Sequence, residues 1–119
     1  MRKTVAGVEV ELQKPQPTLP ARKTTGIAFS LRSTAGGSAI TDLEPYLGAL
    51  GHLILIHQDG LTFVHSHPDE RALEVGRNGA VPFLVRFPKP GLYRGWAQFK
   101  RNGHVLTADF ILEAGGPAE

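Results

Sequence analysis

Two apolar runs joined by a turn signal decide the fold: Gly51-His-Leu-Ile-Leu-Ile-His57 and Leu61-Thr-Phe-Val-His65, with Gln58-Asp59-Gly60 between them. Both runs are rich in the branched and aromatic side chains that favour strands, and Asp-Gly between such runs is a strong signal for a β-hairpin. A two-residue turn would place His52 opposite His67, whereas a three-residue loop with a bulge would turn His52 to the other face. The sequence predicts the hairpin and leaves these two registers open.

Outside the hairpin, alternating apolar and polar residues predict further strands. The expected strands span residues 5–12, 25–32, 51–57, 61–65, 81–87, 92–101 and 104–113. We expect residues 14–20 to form a connecting loop, because three prolines there cannot donate to a sheet ladder. Residues 42–51 are expected to form an irregular crossover with one helical turn at most, and residues 68–78 a short helix or a loop.

Seven short strands without strand-helix alternation predict an all-β fold, either an antiparallel sandwich or a small barrel. Tyr93 follows the Pro88-Lys-Pro-Gly91 turn, at the start of a late strand. Immunoglobulin-like sandwiches place a tyrosine that braces the corner at such a position. Tyr93 is therefore expected either to brace this corner or to be an ordinary core aromatic, and both roles suit a sandwich.

Length and composition exclude several classes of protein. A chain of 119 residues predicts one domain over residues 1–119, ordered over about 5–113 with a frayed tail at 114–119. Its 13 Lys and Arg residues are scattered and nearly balanced by 11 Asp and Glu, which argues against nucleic-acid binding. No apolar run approaches the ~20 residues that membrane insertion by a helix requires. The basic N-terminus is not followed by the apolar stretch of a signal peptide, so either the chain is cytosolic or an export signal has been removed.

Histidines carry the main functional hypothesis. His65 and His67 lie two residues apart in an expected strand, so they project to one face about 6.5–7 Å apart, within reach of a single metal ion. His52 joins them if the hairpin adopts the two-residue turn. Because the chain has no cysteine, three imidazoles predict copper, or zinc, as the cofactor. His57 and His104 are expected to be surface histidines, His57 beside Asp59 near the turn.

Other chemistry is less well supported by the sequence. Ser66 and His65 are adjacent in a strand, so they point to opposite faces and do not form a nucleophile and base pair. Asp42 and Glu44 would supply further metal ligands or support the histidines if the crossover folds over the hairpin, although carboxylates in loops are more often simply exposed to solvent.

Three blocks of the sequence resemble a known type of domain. They are Thr41-Asp-Leu-Glu-Pro-Tyr-Leu-Gly-Ala-Leu-Gly-His-Leu53, Thr62-Phe-Val-His-Ser-His-Pro68 and Phe87-Pro-Lys-Pro-Gly-Leu-Tyr93 with Gln98-Phe99. Together they resemble an uncharacterised bacterial domain that is appended to exported proteins associated with heavy-metal, and especially copper, handling. The resemblance implies an all-β fold, a seven-stranded antiparallel β-sandwich of the immunoglobulin-like or cupredoxin-like kind. It also implies an extracytoplasmic location, periplasmic or secreted, with the rest of a larger exported protein as a partner. It implies His52, His65 and His67 as ligands and brings no established activity.

A second resemblance competes with the first. The spacing of Gly60, His65, His67, Glu70 and Gly76 resembles the first motif of the cupins, small β-barrels in which two histidines and a glutamate bind a metal. The gaps are short, and no histidine follows the Pro-x-Gly turn where a second cupin motif would supply one.

The sequence therefore predicts, first, a non-enzymatic accessory module that binds copper through His52, His65 and His67. The alternatives are a structural or protein-interaction sandwich with incidental histidines, and a small cupin-like metalloenzyme with a closed barrel and Glu70 facing the histidines.

Overall fold

A computed structural model describes residues 1–45, 49–68 and 79–115, and for His65, His67 and Pro68 it describes the backbone alone. Over these residues the chain forms ten strands in two sheets. The strands are β1 (Arg2–Val5), β2 (Val8–Gln13), β3 (Thr18–Pro20), β4 (Thr24–Ser33), β5 (His52–His57), β6 (Phe63–His65), β7 (His67–Pro68), β8 (Ala80–Arg86), β9 (Gly91–Arg101) and β10 (His104–Gly115). The first sheet has the order β1-β2-β4-β8-β7 and the second the order β3-β10-β9-β5-β6.

The two sheets pack face to face because each strand alternates apolar and polar side chains. In β4, for example, Ile27, Phe29 and Leu31 are buried, while the residues between them are partly exposed. Phe29 lies between the sheets, with its ring centroid 5.8 Å from that of Phe99 and 5.3 Å from that of Phe110, both on the second sheet. The predicted all-β sandwich is confirmed.

The number of strands differs from the expected seven for three reasons. An additional strand, β1, precedes the expected first strand, so the chain is already paired from Arg2; a turn at Ala6 and Gly7 separates β1 from β2, with Val5 paired to Val8. The expected proline-rich loop contains β3, which pairs with β10 in parallel, so the sandwich is not wholly antiparallel. Leu19 explains β3, since its side chain is fully buried and draws this segment against the core. The third addition is β7, which follows β6 after a single residue.

The last strand is longer than expected. β10 continues to Gly115, so Ala114 and Gly115 belong to the second sheet instead of a frayed tail. Residues 46–48, 69–78 and 116–119 lie outside the described residues, and with them the helical segments expected in the crossover and after Pro68.

The β1–β2 turn provides a test of backbone strain. Ala6 has a φ of 49° at the first position of a two-residue turn, where asparagine or glycine is preferred. We expect Ala6→Asn to stabilise the fold by about 0.5–1 kcal/mol and to raise Tm by ~2–5 °C. The turn between β9 and β10 provides the reciprocal control, because Asn102 already occupies this position with a φ of 52°. Asn102→Ala should lower the stability by a similar amount, and equal Tm values for all three proteins would contradict this explanation.

Candidate metal centre

The hairpin of β5 and β6 determines how the histidines are placed. Ile54 pairs with His65, Leu55 with Val64 and Ile56 with Phe63. The connecting loop has four residues, 58–61, and is closed by a 2.8 Å hydrogen bond from the His57 N–H to the Thr62 carbonyl. Neither of the two expected loop lengths forms, yet the strand register is the one that a two-residue turn would give. In this register His52 occupies the position diagonal to His65.

His67 leaves the hairpin before it can pair with His52. It pairs with Leu84 of β8, in the first sheet, so the chain crosses from one sheet to the other at Ser66. The Ser66 hydroxyl donates a 2.9 Å hydrogen bond to the Leu53 carbonyl and fixes the crossing point against β5. His67 therefore does not lie directly opposite His52 in one ladder, as a two-residue turn would have placed it, because sheet pairing changes between His65 and His67.

The structure brings His52 and His65 to neighbouring positions of one sheet and puts His67 two residues further on, at the edge of the other. Among the side chains that the structure describes, no group of three or more His, Asp or Glu residues is arranged to hold a metal ion. The side chains of His65 and His67 lie outside that description, so convergence of the three rings stays a prediction. We call this region, defined by His52, His65 and His67, the histidine corner.

The outer face of the second sheet borders the histidine corner. Gln98 of β9 pairs with His52, and Trp96 pairs with Ile54. The Arg94 guanidinium lies 4.9 Å from the centre of the Trp96 ring, a cation–π contact. Trp96 is the single tryptophan of the chain. Because Trp96 lies two residues along β9 from Gln98, the partner of His52, its fluorescence can report on binding at the histidine corner.

The acidic residues of the crossover are engaged elsewhere. Asp42 accepts a 2.8 Å hydrogen bond from Nε of Arg101, and Glu44 accepts one of 2.7 Å from the Gly103 N–H. The Arg101 guanidinium holds the pKa of Asp42 below its usual range. Both carboxylates thus brace the end of β9 and the turn between β9 and β10.

His57 is not the surface histidine that we expected. Only 8% of its side chain is exposed, and among the described residues it is the only buried polar side chain. Its Nε2 lies 2.9 Å from the Pro90 carbonyl, and its Nδ1 accepts a 3.0 Å hydrogen bond from the Asp59 N–H. The expected proximity to Asp59 is correct, but the sequence gives no local sign that the turn after β8 covers this ring. His104 is exposed, as predicted.

Tyr93 braces the corner between β8 and β9. Its hydroxyl donates a 2.6 Å hydrogen bond to the Lys89 carbonyl, four residues upstream, and lies 3.3 Å from the Lys89 N–H. The Tyr93 ring is fully buried and packs against Phe87 with ring centres 4.8 Å apart. Of the two roles considered for Tyr93, the structure shows the bracing one, which is typical of immunoglobulin-like sandwiches.

The sheets, the core and the tyrosine corner define an immunoglobulin-like sandwich. The chain belongs to the family described as a domain of unknown function (DUF8832), whose model matches residues 3–116. This agrees with the expected resemblance to an uncharacterised domain. No curated protein gives a significant match to the sequence. Along the described residues, no helix is both long and apolar enough to cross a bilayer.

Two solved structures share the fold. The first is the Lin-41 filamin domain, with a TM-score of 0.59 and 17% identity over 89% of this chain and 91% of that one. The second is the soluble domain of PmoD from Methylocystis sp., with a TM-score of 0.55 and 22% identity over 97% of each chain. These comparisons indicate no enzyme family. The cupin alternative required a closed barrel, whereas the described strands form two separate sheets; Glu70 lies outside the described residues.

Proposed function

We propose that this domain is a non-enzymatic accessory module that binds a transition metal, copper, at the histidine corner. The observation that carries the proposal is the register of β5 with β6, which makes His65 the diagonal neighbour of His52. Diagonal neighbours in an antiparallel pair are ~7–8 Å apart, a distance that long and aromatic side chains can span. His67 is two residues from His65, at most ~7 Å along the chain. We propose that imidazoles from these three positions meet at one metal ion at the edge of the sandwich.

The available donors suit copper. Imidazole nitrogens bind both Cu(II) and Zn(II), and the usual order of affinities favours copper. The chain has no cysteine, and its single methionine is Met1, so sulfur ligands do not compete for the ion. The resemblance of the Gly-His-Leu and His-x-His-Pro blocks to domains of exported proteins associated with copper handling supports the same metal. By that resemblance we also propose an extracytoplasmic location and the rest of a larger exported protein as partner.

One observation favours the alternative of a protein-interaction module. Ile54 and Phe63 are diagonal neighbours on the outer face of the second sheet, and 51% and 61% of their surfaces are exposed. Ile111 lies on the same face and is 48% exposed. An exposed apolar face of this kind is common at sites where proteins associate. This alternative predicts no dependence on metal.

Calorimetric titration with Cu(II) and with Zn(II) separates the two functions. We expect the wild-type chain to bind one copper ion per molecule and Cu(II) to quench the fluorescence of Trp96. The variant His65→Ala/His67→Ala should lose both responses, whereas the control His104→Ala should keep them, because His104 is exposed on another hairpin. Wild-type protein that gives no heat of binding, or a double variant that binds as the wild type does, would contradict the proposal.

Binding should also depend on pH. Protons compete with the metal for imidazole nitrogens, which titrate near pH ~6.5 in model peptides. We therefore expect copper affinity to fall by at least about tenfold between about pH 7.5 and about pH 5. The same calorimetric titration repeated across this range measures the change. An affinity that is constant over the whole interval would exclude histidine ligands.

A further inference from the structure

The hydrogen bonds of His57 require a neutral imidazole. The Pro90 carbonyl can only accept, so Nε2 of His57 carries the hydrogen of that 2.9 Å bond. The Asp59 N–H can only donate, so Nδ1 presents its lone pair across 3.0 Å. Protonation of Nδ1 would set two N–H groups against each other in a buried position.

This ring joins two loops that are distant in the sequence. Nδ1 holds the β5–β6 loop, residues 58–61, and Nε2 holds the turn between β8 and β9. Three other contacts run in parallel. The Gln58 N–H donates a 2.8 Å hydrogen bond to the Leu92 carbonyl, the Leu92 N–H donates one of 3.2 Å to Oε1 of Gln58, and the Lys89 ammonium pairs with the Asp59 carboxylate. The Tyr93 ring packs edge to face against the imidazole, with the two ring centres 4.9 Å apart, and covers the remaining side of the imidazole.

If Nδ1 were protonated, the nearest group that could accept its hydrogen bond is the Asp59 carboxylate, whose Oδ2 lies 3.4 Å away. Both oxygens of this carboxylate already accept hydrogen bonds from other donors. One oxygen accepts from the N–H groups of Leu61 and Thr62 at 2.8 and 3.0 Å, and the other accepts from the Thr62 hydroxyl and from Lys89. A positive imidazole would have to displace one of these donors and would also face the charge of Lys89.

Two ionisable groups beside His57 have shifted pKa values. The Lys89 ammonium, aided by the Leu61 N–H, holds the pKa of Asp59 well below its usual range. Burial raises the pKa of Tyr93, so its hydroxyl stays neutral. Asp59 and Tyr93, which face His57 from the loop and from β9, therefore keep their charge states between about pH 7.5 and about pH 5.

We propose that His57 is a proton-sensitive latch, closing the β5–β6 loop onto the β8–β9 turn when neutral and releasing the Asp59 N–H when protonated. The loop leads directly into β6, an edge strand of three residues, so an open loop also loosens β6. Because β6 ends at His65, a fall in pH would also loosen the histidine corner. That consequence rests on the proposed function, whereas the latch itself does not.

Nuclear magnetic resonance of the metal-free chain between about pH 7.5 and about pH 5 tests the latch. We expect the Asp59 amide signal to shift with the same midpoint as the His57 ring signals. Protection of this amide from hydrogen exchange, corrected for the intrinsic effect of pH, should fall by about tenfold. The amide of Phe29, in the core strand β4, should keep its protection. A ring that does not titrate in this range, or one that titrates while the Asp59 amide keeps its shift and protection, would overturn the proposal.

Two variants make the test specific. His57→Gln retains an N–H donor for the Pro90 carbonyl but cannot be protonated, so the pH response at Asp59 should disappear. His104→Gln removes an exposed histidine and should leave the response unchanged. A response that survives His57→Gln, or that is lost in His104→Gln, would contradict the latch. If His57→Gln does not fold, the titration of the wild-type protein decides alone, and because no metal is present the result does not depend on copper binding.

Discussion

Replacing Phe29 by alanine should lower the free energy of unfolding by about 3–5 kcal/mol, enough to remove much of the stability of a small domain. The Phe29 side chain is fully buried at the centre of the sandwich. It meets Phe83 edge to face at 5.7 Å, and it contacts Phe99 and Phe110 of the opposite sheet. Alanine would remove the ring contacts that join the two sheets and leave a cavity that rigid strands cannot close.

Phe63→Ala is the matched control, because it removes the same atoms from a side chain that is 61% exposed on β6. We expect it to cost less than about 1 kcal/mol. Urea denaturation of both variants and the wild type gives the comparison directly. Similar losses for Phe29→Ala and Phe63→Ala would show that the sheets are not held together through Phe29.

Gly91→Ala should have the second-largest effect, about 2–5 kcal/mol, because two separate costs add. Gly91 has a φ of 132°, a backbone conformation that residues with a side chain rarely adopt. A Cβ at this position would also lie 2.4 Å from Nε2 of His57. The clash would push the imidazole away from the Pro90 carbonyl and disturb the join between the two loops.

Gly103→Ala separates these two costs. Gly103 also has a positive φ, of 77°, but a Cβ there meets nothing within 4 Å. We expect Gly103→Ala to cost about 1–2 kcal/mol, the backbone part alone. The thermal unfolding of the two variants provides the measurement. The difference should shrink when Gly91→Ala is combined with His57→Ala, which removes the clashing ring. Equal losses for Gly91→Ala and Gly103→Ala would mean that His57 does not need the space beside Gly91.

The sandwich could be predicted from the sequence because strand patterns are local. The alternation of Ile27, Phe29 and Leu31 is visible in the sequence, as is the Asn102-Gly103 turn signal, and both were interpreted correctly. Ala6 was missed because alanine is not a usual turn residue, so its neighbour Gly7 was taken as part of a continuous strand. Leu19 was missed because a single apolar residue among prolines has no periodicity to detect.

The candidate site depends on contacts that no local pattern reveals. The alternation of His65, Ser66 and His67 would hold if one strand continued, but the chain changes sheets at Ser66 and pairs His67 with Leu84. The burial of His57 results from the β8–β9 turn, which lies more than thirty residues away in the sequence. The hairpin register, in contrast, was one of the two that the sequence allowed.

Anomalous diffraction at the copper absorption edge, from crystals soaked in Cu(II), tests metal binding at the histidine corner most directly. We expect one peak about 2 Å from a ring nitrogen of each of His52, His65 and His67. No peak at this corner, with the three rings directed away from one another, would contradict the proposed function, as would copper bound at His104 instead.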